Sequence, residues 1–126
     1  MSRNRKSAKA AGTVFESQVA GYLADALDDD RIERRARFGS LDRGDVGGVR
    51  TALGERVVIE CKNTSRVELG VWANEVEKER GNDDAAVGVV VHKRVGKGAK
   101  NMGEQWVTMT LADFAVLLGG TRGEVE

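Results

Sequence analysis

The segment Arg56–Lys62, Arg-Val-Val-Ile-Glu-Cys-Lys, limits the possible folds more than any other. Val57, Val58 and Ile59 are consecutive β-branched residues, which fit a pleated surface better than a helix. A strand therefore runs to Lys62 and ends in Glu60-Cys61-Lys62. Ala86–His92, Ala-Val-Gly-Val-Val-Val-His, reads as a second buried strand. Between the two, Leu69, Trp72, Ala73 and Val76 fall on one stripe. That spacing predicts a helix from about Val67 to Arg80.

The flanking segments extend this pattern. Phe15, Val19, Tyr22, Leu23, Ala26 and Leu27 recur at helical spacing and predict a helix over Ala10–Leu27. Asp28-Asp29-Asp30 ends it, because carboxylates at a helix C-terminus oppose the macrodipole. Glu33–Phe38 reads as a polar edge strand, Asp45–Arg50 as a short strand and Thr51–Glu55 as a turn. Gln105–Thr110 is a further strand, and a last helix from Thr110 or Leu111 to Leu118 stops at Gly119-Gly120. The order α-β-β-β-α-β-β-α predicts an α/β domain: a mixed sheet of about five strands flanked by helices. With 126 residues, one such domain has one modest core. Residues 1–8 read as a flexible basic tail and 121–126 as a frayed end.

Composition excludes several classes. No apolar run is long enough to span a membrane, and the basic N-terminus lacks the apolar stretch of a signal peptide. A single cysteine allows no intrachain disulfide, and with one histidine it cannot supply a zinc site. These features suit a reducing cytoplasm. The loop Val95–Lys100 lacks the length and hydroxyl residue of a P-loop, so no nucleotide cofactor is expected.

Formal net charge is zero, yet the charges are segregated. Arg3, Arg5, Lys6 and Lys9 open the chain; Arg31, Arg34, Arg35, Arg37 and Arg43 follow; Lys93, Arg94, Lys97 and Lys100 form a third group. A two-faced molecule can bind phosphates on one side while remaining neutral overall. Arg3, Arg5, Lys6, Lys9, Arg35, Arg37, Arg43, Lys93, Lys97 and Lys100 are the candidate DNA contacts.

The chemistry follows from alternation along a strand. Val58, Glu60 and Lys62 share one face; Val57, Ile59 and Cys61 share the other. Glu60 and Lys62 lie about 6.6 Å apart along the axis, so both reach one centre without a forced ion pair. Asp45, starting the partner strand, can converge on Glu60. Two carboxylates with a carbonyl and waters suit octahedral Mg²⁺ or Mn²⁺. Glu16 lies on the apolar stripe of the first helix, followed by Val19, Ala20, Leu23 and Leu27. A carboxylate there needs a partner, either an arginine or the same metal site.

Taken together, Gly12-x-x-x-Glu16, Gly39-Ser40, Asp45-Val46 and Ile59-Glu60-Cys61-Lys62 resemble the PD-(D/E)xK nuclease superfamily. The order and short spacing are most similar to small Holliday junction resolvases of archaeal and phage type, over roughly residues 9–95. The resemblance implies a restriction-endonuclease-like core and Mg²⁺-dependent cutting of branched or double-stranded DNA by a homodimer. It implies metal binding by Asp45, Glu60, the Cys61 carbonyl and Glu16, with Lys62 catalytic and Ser40 assisting at the scissile phosphate. Gly44 replaces the proline usual in that family, which leaves Asp42 as a rival to Asp45. A RecB-like exonuclease, a restriction-type nuclease and a catalytically silent DNA-binding module are the competing readings. His92 reads as a plain strand-end residue, Trp72 as core, Trp106 as core or stacking surface, and Glu75 as solvated or reaching the site.

Overall fold

The computed structural model describes residues 4–36 and 41–123. Helix α1 covers Arg5–Ala26, followed by the short strands β1 (Glu33–Arg34) and β2 (Val46–Gly47). Strand β3 (Val57–Lys62), helix α2 (Leu69–Asn82) and strand β4 (Val87–His92) form a β-α-β unit. A 3₁₀ turn at Ala99–Glu104 leads to β5 (Trp106–Thr108) and helix α3 (Leu111–Leu117). The expected α/β architecture is present: a five-stranded mixed sheet in the order β1-β2-β3-β4-β5. Only β3 and β4 run parallel, joined through six residue pairs from Val57↔Val87 to Lys62↔His92.

Alternation along β3 separates two cores. Val57 and Ile59, with Val87, Val89 and Val91 of β4, pack against Phe15, Val19 and Ala20 of α1. Val58 and Val90 pack on the opposite face against Trp72 and Val76 of α2. Burying each such side chain contributes about 1.5–3 kcal/mol, which explains why these two strands hold the domain together. Gly88 lets α2 come close, since a Cβ there would lie 3.2 Å from Val76.

Three differences from the sequence expectation have local causes. First, α1 starts at Arg5 rather than Ala10, because Asn4 caps it: its Oδ1 accepts from the Ser7 amide at 2.8 Å. The basic residues Arg5, Lys6 and Lys9 therefore sit on helical turns, not on a loose tail. Secondly, β1 and β2 hold two residues each where longer strands were expected. Gly48, at φ +88°, turns the chain out of β2, and a Cβ there would meet the Arg31 carbonyl at 2.6 Å. Pairing resumes only at the isolated bridge Arg50↔Arg56. Thirdly, Arg122 is anchored, not frayed: it donates to Asp113 Oδ1 at 2.7 Å and to the Ala86 carbonyl. Asp113, 1% exposed, also accepts from the Gly88 amide. Arg3, Arg37, Ser40 and residues 124–126 lie outside the described residues.

The helix ends share one device. Asp28 and Asp84 take left-handed φ values of 49° and 50°, and Gly119 takes 94°. The next amide then reaches back five residues, Asp29 to the Ala24 carbonyl and Ala85 to the Arg80 carbonyl, each at 2.9 Å. The first Asp of the 28–30 run thus stops α1 by its backbone conformation as well as by its charge. Among the described residues, no helix is long and apolar enough to cross a membrane.

Candidate active site

Asp45 stands immediately before β2, and its amide donates to the Ile59 carbonyl at 2.8 Å. Its carboxylate Oδ2 accepts from the Cys61 amide at 2.8 Å. These two bonds carry the side chain to the C-terminal end of β3, as the hairpin spacing predicted. The preceding Gly44 is essential to this path. Its φ is +93°, and a Cβ there would lie 2.9 Å from the Ile59 carbonyl oxygen. Proline, fixed near φ −65°, could not follow this route, so the glycine is a conformational requirement of this loop.

Asp42 shapes the same loop. Its Oδ1 accepts from the Gly44 amide at 3.0 Å, and its carbonyl accepts from the Asn82 side chain at 2.9 Å. That second bond brings the loop to the last turn of α2. There the carboxylate oxygens of Asp42, Glu60 and Glu79 lie within 4.8 Å of one another. Glu60 is 8% exposed and Glu79 4%. The Oε2 atoms of both are buried with no hydrogen-bond partner among the described residues. Two carboxylates held this closely must share a proton or a cation. Burial, then the neighbouring Glu60 carboxylate, then Asp42, push the Glu79 carboxyl far above the usual carboxylate range.

A second grouping adjoins the first. Burial raises Asp45 to about 8, helped by the charges of Glu60 and Glu16 and opposed by the Cys61 amide. Glu16 lies beside Asp45 and also accepts from Arg34 Nε at 3.2 Å. The helix acid therefore has both of the partners considered for it, an arginine and the acidic site. Cys61 faces the α1 core. Burial, then Asp45, Glu16 and other acids, push its thiol well above its ordinary value, so it is an inert packed group.

Lys62 departs from expectation. Its Nζ lies 2.7 Å from Glu75 Oε2 and 3.7 Å from Glu60 Oε1, so it does pair with Glu60. A flexible four-carbon stem lets the ammonium lean back along the strand. Burial opposes its charge, but the Glu75 bond and the charges of Glu60 and Glu75 outweigh that, and the net shift is upward. Lys62 is thus held as a cation, suited to stabilising charge rather than to accepting a proton. Glu75 reaches the site through it.

Glu79 is the residue that sequence reasoning missed. The stripe Trp72, Val76, Glu79 continues the apolar face of α2, the same signal that singled out Glu16 on α1. His92 is structural as expected. Its Nε2 lies 2.7 Å from Thr108 Oγ1, its ring packs 5.2 Å from Trp72, and burial lowers its pKa. Trp72 is core, whereas Trp106 is half-exposed, with Arg94 4.4 Å over its ring. Of the candidate DNA contacts, Lys97 pairs with Glu104 at 3.2 Å and Arg35 with Asp83 at 3.3 Å, while Lys100 and Arg43 are exposed.

Comparison with known proteins is silent: no family model, curated protein or solved structure matches this chain.

Proposed function

We propose that the chain is a metal-dependent DNA endonuclease of the PD-(D/E)xK type, cutting branched DNA such as four-way junctions as a homodimer. The buried Oε2 atoms of Glu60 and Glu79, without hydrogen-bond partners among the described residues and crowded by Asp42, carry this reading. Such a cluster is costly when charged and stable around a hard cation. The donor set is all oxygen, which suits Mg²⁺ or Mn²⁺.

Asp45 and Glu60 would hold the ion, with Asp42 and Glu79 available on the α2 side and Glu16 behind Asp45. A bound Mg²⁺ supplies Lewis-acid polarisation of the phosphate and a water of lowered pKa. The chain's own residues do the rest. Lys62, kept protonated by Glu75 and Glu60, stabilises negative charge building on the phosphate. Glu75 positions Lys62. The buried carboxylates orient the site, and the Cys61 amide fixes Asp45. Paired nicks on a four-way junction need two sites related by a two-fold axis, which a dimer of small subunits provides.

The test is a labelled four-way junction with Mg²⁺, set beside linear and flapped DNA. Wild type should nick the junction, and Asp45→Asn, Glu60→Gln and Lys62→Ala should not. Cleavage that survives all three substitutions ends the proposal. Stronger cutting of linear or flapped DNA moves the substrate to the exonuclease or restriction-type reading. A DNA-binding module without catalysis would show no Mg²⁺ or Mn²⁺ binding that depends on Asp45 in calorimetry.

A further inference from the structure

A polar cleft of about 300 Å³ lies beside the acidic cluster, lined by Arg35, Arg43, Arg50, Arg56 and Asp83 among others. Four arginines and one acid thus line a small space. That carboxylate, on Asp83, is already 3.3 Å from Arg35. The other bonds of these arginines are few. Arg35 donates to the Arg43 carbonyl at 2.8 Å, Arg50 to the Gly54 carbonyl at 2.9 Å and Arg56 to the Asp83 carbonyl at 3.0 Å. A guanidinium carries five N–H donors, so most of these remain available.

The charges lining the cleft are unbalanced, four arginines against one acid. Arg50 and Arg56 face each other across an antiparallel bridge. Like charges directly opposite in such a pair repel, and one backbone carbonyl on each leaves both charges unneutralised. Gly47 makes the room: a Cβ on it would lie 2.9 Å from Arg35 Nε, so the missing side chain admits that guanidinium. Planar forks gathered in this way match a tetrahedral oxyanion, which accepts bidentate bonds from arginine.

The cleft also borders the acidic site. Asp83 is one helical turn beyond Glu79, about 6 Å along the axis, and Arg43 follows Asp42 directly. We infer that the cleft binds a phosphate group, supplied by the backbone of the strand that the neighbouring acids cut. Its nucleic-acid source rests on the nuclease proposal; anion binding by the arginines does not. The cleft would anchor a flanking phosphate and so set which bond lies over Asp45 and Glu60. Phosphate contacts of this kind fix register and carry no sequence information.

The experiment uses the full chain in EDTA, so that cutting plays no part. Binding of a fluorescent four-way junction is measured against salt, and melting is followed with rising inorganic phosphate. Arg50→Gln/Arg56→Gln should bind the junction about tenfold more weakly at low salt and lower the log–log salt slope by about two. Inorganic phosphate should raise the wild-type melting temperature and leave that of the double variant unchanged. Arg50→Lys/Arg56→Lys keeps the charge and should retain most of the slope, which separates phosphate binding from a folding defect. Both readouts are taken in EDTA and neither depends on cutting, so a failed nuclease proposal remains distinguishable from a failed cleft. Equal affinity, slope and phosphate response in wild type and the glutamine double variant would overturn the site. A phosphate response without DNA binding keeps the anion site and overturns its nucleic-acid source.

Discussion

The two groupings of acids differ in how the protein treats them. Asp45 and Glu16 are answered from within: the Cys61 amide binds one and Arg34 the other. Asp42 has the Gly44 amide, but the Glu60 and Glu79 carboxylates it meets are not answered in this way. One oxygen of each is buried without a hydrogen-bond partner among the described residues, and Lys62 leans towards Glu75 at 2.7 Å rather than Glu60 at 3.7 Å. The first grouping is fixed in place; the second is left to share a proton or a cation. A site built in this way has its geometry set by one half and its appetite for a cation set by the other.

Four outcomes would break or sharpen that contrast. The largest effect is on catalysis. Glu60→Gln or Asp45→Asn should reduce junction cleavage by about a thousandfold, the upper range for losing one preorganised electrostatic group. Cleavage of the labelled junction at fixed Mg²⁺ is the measurement, and a loss under tenfold would remove Glu60 or Asp45 from the centre. Next comes the metal. Glu79→Gln should weaken Mn²⁺ binding by about 10- to 100-fold, as loss of a supporting group does. Glu16→Gln should weaken it less, because Arg34 already shares that carboxylate. Calorimetric titration ranks the two, and the reverse order would invert the comparison.

The third outcome is a dependence on pH. Asp45 and Glu79 have folded-state pKa values raised above the roughly 3.9 and 4.3 of unfolded chains. The folded state therefore holds protons that the unfolded state has released. Their contribution to stability is fully present below about pH 4 and is lost as pH rises, for Asp45 through about 8. Without metal, the melting temperature should fall from pH 5 to pH 8, and saturating Mg²⁺ should offset the fall. Asp45→Asn and Glu79→Gln should flatten the metal-free profile. The smallest effect is structural. Gly44→Ala places a Cβ against the Ile59 carbonyl at positive φ, which should cost about 1–2 kcal/mol in urea melts. Cleavage should fall with it, because Asp45 follows on the same loop.

Much of this was legible in the sequence. Consecutive β-branched residues announced β3 and β4, helical stripes announced α1 and α2, and alternation placed Glu60 and Lys62 opposite Cys61. The acid on an apolar stripe identified Glu16. Glu79 carried the same signal and escaped because Lys78 and Arg80 beside it make the last turn of α2 look solvated. The length of β1 and β2 depended on the left-handed turn at Gly48, which no pattern of side chains encodes. The lean of Lys62 towards Glu75 is a matter of tertiary packing between β3 and α2. Glu75 sits on the second turn of α2, and no sequence periodicity fixes its register against β3.

The Asp113–Arg122 pair bears on where the chain can be cut. Gly119-Gly120 looks like a natural boundary for trimming the domain. Truncation there would leave Asp113, 1% exposed, facing the Gly88 amide and Thr110 without the guanidinium that binds it directly. Breaking such a pair costs about 3–5 kcal/mol, a large share of a small domain's stability. A shortened protein should therefore keep Arg122, and urea melts of chains ending at 120 and at 123 would show the difference.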